Sequence, residues 1–202
     1  RGTMAVQKLQ ALTGSKVFYV PCDVTNKEDC QKALAGIGGM IDVLVNVAGV
    51  YQEQRLENMT EEDFSNIFDT NVKGTLLLTQ AALPYMYGGG SIVNIASMTA
   101  LRGNRGQLVY SATKGAIVSM TKSAAKELAE KGIRVNAIAP GLTNTEMMRQ
   151  TQAEKLQKRI ENICMGRLAE PVDIAKACMF MLSDLADYVS GQVLAVDGCT
   201  IM

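Results

Sequence analysis

Residues 91–114 read SIVNIASMTALRGNRGQLVYSATK, and the two ends of this stretch follow different periodicities. SIVNIAS (91–97) is a short β-branched run preceded by Gly88, Gly89 and Gly90, which predicts a strand. Residues 108–131 predict a helix, with Tyr110 and Lys114 four positions apart. That spacing puts the two side chains on one face, about 6 Å apart along the axis. An ammonium so close favours the phenolate. It draws the tyrosine pKa, roughly 10 in isolation, toward values where a phenol both gives and takes protons. Ser97, thirteen residues before Tyr110, supplies a hydroxyl to the same place. Taken alone, Tyr110 and Lys114 also describe an ordinary solvated helix pair, so the surrounding chain has to decide between the two readings.

Outward from that stretch the strand and helix alternation continues. Residues 1–12 read as the tail of a helix ending at Gly14, and Lys16–Cys22 (KVFYVPC) as a strand with Asp23, Val24 and Thr25 at its carboxyl end. A helix over 26–38 and an apolar strand IDVLVN (41–46) follow, with Val47, Ala48 and Gly49 in the turn after it. Thr60-Glu61-Glu62-Asp63 has the form of a capping box and opens a helical region that runs, with a kink near Asn71, to about Met86. After the 108–131 helix come a strand over 133–140, a loop from Gly141 to Thr145 and a polar segment, 146–165, that is helical or mobile. A helix over 171–183 with Pro171 in its first turn and a last strand within 191–198 complete the chain. No repeat or linker divides it, so residues 1–202 form one domain.

Strands separated by helices of ten to twenty residues predict βαβ crossovers: an α/β, doubly wound, Rossmann-like parallel sheet with helices on both faces. Such sheets bind ligands beyond the carboxyl ends of their strands. Asp23, the group Asn46, Ala48 and Gly49, Ser97, and the pair Pro140 and Gly141 all fall just past strand ends. Each has a plain structural reading, as a turn glycine or a helix cap, and it is their joint position that points to a site.

Composition narrows the chemistry. Twenty basic residues balance twenty acidic ones, so there is no electrostatic case for nucleic acid or an anionic membrane. No apolar run approaches the ~20 residues that span a bilayer, and the expected location is the cytoplasm. There is no histidine, which excludes Ser-His-Asp and Cys-His catalysis and leaves proton transfer to Tyr, Lys, Asp or Glu. The five cysteines, at 22, 30, 164, 178 and 199, show no CxxC pair; they read as reduced thiols, mostly small core residues, and no metal site is expected.

The set Asn46-Val47-Ala48-Gly49, Asn71, Ser97, Tyr110-Ser111-Ala112-Thr113-Lys114 and Pro140-Gly141 resembles the short-chain dehydrogenase/reductase family in its compact YxxxK form. RVNAIAPG (134–141), GRLAEPVDIA (166–175) and GQVLAVDG (191–198) extend the resemblance from about Val17 to Gly198. It implies a nicotinamide-dependent oxidoreductase interconverting a secondary alcohol and a ketone, with NAD or NADP left open. Tyr110 would be the general acid and base, Lys114 its electrostatic partner and a ligand of the nicotinamide ribose, and Ser97 the group that orients the substrate oxygen. Asn71 would fix a water that relays protons from Lys114. The resemblance places Asp23 and Val24 against the adenine and Asn46, Ala48 and Gly49 at the adenosine ribose and turn. Pro140, Gly141, Thr143 and Thr145 fall at the nicotinamide end. Candidate substrates are 3-oxoacyl thioesters, hydroxysteroids, sugars and polyols. It further implies a homodimer or homotetramer, built from the helix over 108–130 and the long one before it, with the last strand helping to form the tetramer.

The chain also departs from the family. The glycine-rich TGxxxGxG turn and the first strand-helix-strand unit are absent from these residues, which in the family order 3-2-1-4-5-6-7 removes the middle of the sheet. The KVFYVPC strand would then have no neighbour, and the expectation is that the sequence omits residues of the molecule. The helix after Asp23 and the segment from Asn71 to Gly90 are also short, and Val47 replaces the second asparagine of the family's NNAG turn. These departures support a second reading, an inactive or non-catalytic relative with a structural or cofactor-sensing role. Five methionines, at 147, 148, 165, 179 and 181, fall near the segment that covers the substrate in relatives and suit an apolar ligand.

Overall fold

The fold grows from the glycine-bounded strand of the opening stretch. In the computed structural model, which describes residues 2–146 and 153–200, it is β2 (Ser91–Ile95). Ser91, Ile92, Val93 and Asn94 are all buried, as a strand covered on both faces requires. β2 pairs in parallel with β1 (Val43–Asn46) on one side and β3 (Arg134–Pro140) on the other. β4 (Val193–Val196) extends the sheet beyond β3, giving the order β1-β2-β3-β4 with every pair parallel.

The crossovers place helices on both faces. α4 (Gly74–Ala82) and α6 (Leu108–Leu128) lie against one face, and α8 (Pro171–Leu182) against the other. Because successive strand residues point to opposite sides, Ile92 and Val135 join the cluster under α4 and α6, while Val93 and Ile138 pack with Met181 of α8. α2 (Lys27–Ala35), N-capped by the Asn26 side chain, packs on α4. Arg134 donates to the carbonyls of Met181 (2.8 Å) and Ser183 (3.2 Å), satisfying acceptors that the end of α8 would leave orphaned.

The capping box is formed as the sequence predicts. Thr60 Oγ1 accepts from the Asp63 N–H and Asp63 Oδ2 accepts from the Thr60 N–H, opening α3 (Glu61–Phe68). The kink expected near Asn71 is a π-helical turn, Asp69–Lys73, between α3 and α4. Two helices were not anticipated with these bounds: the short α5 (Thr99–Arg102), and α7 (Ala153–Glu161), the described part of the polar 146–165 segment. Met147 and Met148 lie outside the described residues.

One predicted element is absent. α1 (Gly2–Thr13) is helical but buries none of its residues, and Lys16–Cys22 is not a strand. Phe18, Tyr19 and Val20 are exposed, and among the described residues no strand lies on the outer side of β1, where Val43 is also exposed. β-branched composition does not make a strand without a ladder partner, because propensity is a preference for a pleated, half-buried surface and supplies no hydrogen bonds. Among the described residues no helix is long and apolar enough to cross a membrane.

A polar row crosses this apolar interior. Asn46 Nδ2 donates to Thr79 Oγ1 (3.0 Å) and to Asn94 Oδ1 (2.8 Å); Asn94 Nδ2 donates to Thr121 Oγ1 (3.0 Å), which donates to the Ile117 carbonyl (2.8 Å). The row ties β1 and β2 to α4 and α6, and removing its middle member strands buried partners on both sides. Asn94→Ala is expected to lower the unfolding free energy by about 3 kcal/mol. Urea denaturation would check it, and a loss below about 1 kcal/mol would show the row to be dispensable.

Candidate active site

Three strand ends and one helix converge on the site. β2 ends next to Ser97, β3 ends at Pro140, β1 leads into Gly49, and α6 begins one residue after Gln107 and carries Tyr110 and Lys114 on its first turns. A cavity of about 230 Å³ opens between them, lined by Ser97, Tyr110, Pro140, Gly141, Thr143 and Thr145 among others. Six residues singled out from the sequence are thus brought together.

Ser97 is 9% exposed, and its Oγ accepts from Thr99 N (3.3 Å) and Thr99 Oγ1 (3.1 Å). With its lone pairs occupied by α5, Ser97 has its one hydroxyl proton left to give, to the Tyr110 oxygen or to a ligand. Ser97 lies close enough to Tyr110 to lower the phenol's pKa. Burial acts the other way and is the larger effect, so the net shift of Tyr110 is upward. The edge of its ring meets Tyr51 at a centroid distance of 5.1 Å and 86°.

Lys114 is 6% exposed. Its Nζ donates to the Ile95 carbonyl at 2.8 Å and lies 5.7 Å from the centre of the Tyr110 ring. Burial lowers its pKa to about 8, because an ammonium removed from water is costly. The sequence predicts that Lys114 pulls the phenol down; the structure corrects this. The lysine is itself desolvated and faces a backbone carbonyl, so Ser97 alone lowers the Tyr110 pKa while burial raises it.

Asn71, 1% exposed in the π-helical turn, is fully committed. Its Oδ1 accepts from Val50 N (2.7 Å) and its Nδ2 donates to Val50 O (3.0 Å) and Thr113 Oγ1 (3.1 Å). The side chain therefore clamps the loop after β1 onto α6 and has no N–H left for a relay water. Gly49 sits against this clamp: a Cβ there would lie 3.2 Å from Asn71 Oδ1 and 3.6 Å from Lys114 Nζ. The place beside Gly49 suits a close-lying ligand hydroxyl. Among the described residues Lys114 has one hydrogen-bond acceptor for three N–H groups. A buried ammonium with donors to spare fits the ribose hydroxyls of a dinucleotide.

The remaining candidates stand apart from the cavity. Asp23 accepts from Thr25 N (2.9 Å) and Thr25 Oγ1 (2.8 Å), which hold its carboxyl below the usual range. Val24 packs on Gly74, where a Cβ would meet its Cγ2 at 2.7 Å. Asn46 spends both N–H groups of its amide on the buried row described above while its Oδ1 is buried without a partner, and Ala48 is exposed in the loop beyond it. Met165 and Met179 are exposed and Met181 is core, so the described members of the methionine group do not line the cavity; Met98 does.

Comparison with known proteins gives this geometry a family. Residues 1–199 match a family model described as enoyl-(acyl carrier protein) reductase. The chain is 38% identical over 198 residues to the Thermotoga maritima 3-oxoacyl-[acyl-carrier-protein] reductase FabG, covering 96% of this chain and 80% of that protein. It is 39% identical over 201 residues to a 3alpha-hydroxysteroid dehydrogenase of Mediterraneibacter gnavus, covering 94% and 80%. A Brucella melitensis crystal structure described as a short-chain dehydrogenase/reductase, glucose/ribitol dehydrogenase, superposes with a TM-score of 0.92 at 32% identity over 99% of this chain and 83% of that one. The chain belongs to the short-chain dehydrogenase/reductase family. As a member of that family it is an oxidoreductase.

Several cavity residues of this short-chain dehydrogenase/reductase escape a reading of motifs. Tyr51, Glu53, Arg102, Gln107, Leu142 and Arg159 line the cavity as well. Tyr51 donates to Glu53 Oε2 (3.0 Å) and accepts from Gln107 Nε2 (2.9 Å), while Arg159 Nη2 lies 3.6 Å from Glu53 Oε2. Gln107 carried a signal in the sequence, since it lies one helical turn before Tyr110; Arg159, on α7, carried none.

The buried lysine makes stability depend on pH. Unfolded, Lys114 binds its proton up to the ordinary lysine value of 10.5, and folded only to about 8. Between those values the unfolded chain holds more protons, so this group's contribution to stability rises with pH. The wild type is expected to gain about 3 kcal/mol relative to Lys114→Met from pH 8 to 10.5. Comparing the two proteins cancels the opposing effect of Tyr110 and Cys30, whose raised pKa values lower stability as pH climbs. Paired urea titrations would measure it, and a flat difference would mean that burial does not depress the Lys114 pKa and that the lysine keeps its charge in the fold.

Proposed function

We propose that the chain interconverts a ketone and a secondary alcohol, with a 3-oxoacyl thioester as the first substrate class and NAD or NADP as cofactor. The observation that carries this reading is the grouping of Tyr110 and Ser97 on the wall of one cavity with Lys114 buried beside the Tyr110 ring. The names of the relatives at 38% and 39% identity support the choice between an acyl ketone and a hydroxysteroid without separating them. The nicotinamide, when bound, supplies or takes the hydride.

The protein's part is position and proton transfer. Ser97, its lone pairs held by Thr99, donates to the substrate carbonyl oxygen and orients it. Tyr110 donates its proton to the same oxygen as negative charge develops there, and takes it back in the oxidation direction. A phenol raised by burial keeps its proton until the oxygen demands it. Lys114, with free N–H groups beside Gly49, holds the nicotinamide ribose, and an acceptor there restores the charge that burial disfavours. Pro140, Gly141, Thr143 and Thr145 frame the carboxamide end. Asp23, Val24, Ala48 and Gly49 line the adenosine side, and Asn46 steadies that turn from below through the buried row. Asn71 fixes the loop and α6 in register, a positioning part.

The reading includes a cytoplasmic setting and a homodimer or homotetramer. On the outer face of α4, Leu76 is exposed, and a Cβ at Gly115 of α6 would meet nothing within 4 Å, which supports close approach of a second helix pair.

Absorbance at the reduced-nicotinamide band, with acetoacetyl thioesters and a panel of hydroxysteroid, sugar and polyol ketones, tests the assignment. Tyr110→Phe is expected to lower kcat by about 10²–10⁴-fold while leaving dinucleotide binding intact. Turnover unaffected by the substitution would overturn the role of Tyr110. Absence of both turnover and dinucleotide binding in the wild type would favour the inactive relative.

A further inference from the structure

Cysteines 164 and 199 are 35 positions apart in the sequence, yet a backbone hydrogen bond joins them on the surface. Ile163 and Thr200 form an isolated antiparallel bridge, and Cys164 and Cys199 lie next to it, one on each segment. Cys164 N donates to Cys199 O at 3.1 Å and Met165 N to Gly198 O at 3.1 Å, which fixes the register. The direct backbone bond keeps the two residues near the roughly 4.4–6.8 Å Cα separation that a disulfide spans. Both residues are exposed, and the Cys199 thiol is near enough to Cys164 to raise its pKa.

The backbone around Cys199 is also unusual. At φ 57° it is the one non-glycine residue with positive φ among the described residues. Asp197 holds it there, accepting from Cys199 N (3.2 Å) and Thr200 N (3.4 Å). A cysteine in the left-handed region costs on the order of 1 kcal/mol, so the turn that presents Cys199 to Cys164 is maintained against a local preference.

We propose that Cys164 and Cys199 are a reversible oxidation site that closes to an intrachain disulfide with hydrogen peroxide as oxidant. One thiolate attacks a peroxide oxygen, breaking the O–O bond to give a sulfenic acid and, after protonation, water. The second thiol attacks the sulfenic sulfur, forming the S–S bond and expelling a second water. Two thiols and one peroxide thus become one disulfide and two waters, with sulfur oxidised and oxygen reduced. Low-molecular-weight dithiols reverse it by exchange. The bond ties the segment that follows α7 to the end of β4. The other three cysteines take no part: Cys30 is buried, and Cys22 and Cys178 are partly covered.

The full chain, reduced and then treated with a small molar excess of hydrogen peroxide, is quenched by alkylation and read by intact mass and peptide mapping. The expected product carries three alkylated thiols in place of five and one peptide pair linked through residues 164 and 199. Dithiothreitol should restore five. Cys164→Ser and Cys199→Ser should each abolish the link, the remaining thiol going to a sulfinic or sulfonic acid. Five alkylatable thiols after treatment would overturn the proposal. So would a link through Cys22, Cys30 or Cys178, or a link formed only between chains.

Discussion

Three hydrogen bonds from one amide hold the site together. Asn71 grips both backbone groups of Val50 and the hydroxyl of Thr113, and so joins the loop after β1, the break between α3 and α4, and the first turns of α6. An α-helix running unbroken from Glu61 would carry this side chain past its targets; the π-helical turn at Asp69–Lys73 adds the rotation that aims it inward. The clamp explains its neighbours. A Cβ at Gly49 would crowd Asn71 Oδ1 at 3.2 Å, and Thr113, spent on Asn71 and on the Tyr110 carbonyl, fixes the phase of α6. That phase decides where Tyr110 and Lys114 point.

Within this frame the two reactive groups are held in their uncomfortable states. Burial raises the Tyr110 pKa and lowers that of Lys114, so both shifts favour the neutral pair. A surface ion pair would do the opposite and would leave little for a ligand to change, because each charge would already be satisfied by water. A desolvated ammonium with one carbonyl partner gains from any further acceptor, and a phenol beside a serine whose lone pairs are occupied keeps its own proton for a ligand oxygen. The low dielectric that disfavours the charges is what gives their rearrangement consequence.

Much of this was legible in the residues. The apolar runs at 41–46, 91–97 and 133–140, the capping box at Thr60 and the kink at Asn71 all rest on local patterns, and local patterns survive into the fold. Lys16–Cys22 failed because a strand is a property of a pair, and the partner is not in the sequence of the candidate itself. Asn46 reads as a ligand from its place at a strand end, whereas its amide belongs to a row completed by Thr79, Asn94 and Thr121, residues 33, 48 and 75 positions away. The direction of the Tyr110 shift was also misread. Spacing on a helix gives proximity, but the sign of a pKa shift depends on burial, which spacing does not contain.

The same limit applies to the cysteines, which looked scattered because their relation is carried by the sheet. β3 and β4 run parallel, so their carboxyl ends emerge side by side. Gly141, on the cavity wall, packs so closely on β4's end that a Cβ would lie 2.7 Å from the Asp197 Cα. Asp197 in turn holds the turn of Cys199 and Thr200. The glycine that lets the cavity floor approach β4 and the carboxylate that bends the chain toward Cys164 are therefore adjacent parts of one construction. Any side chain at 141 would have to push Asp197 aside, and with it the register between residues 163–165 and 198–200. The wall that meets the ligand and the surface contact that brings two thiols together are fixed by the same parallel pairing.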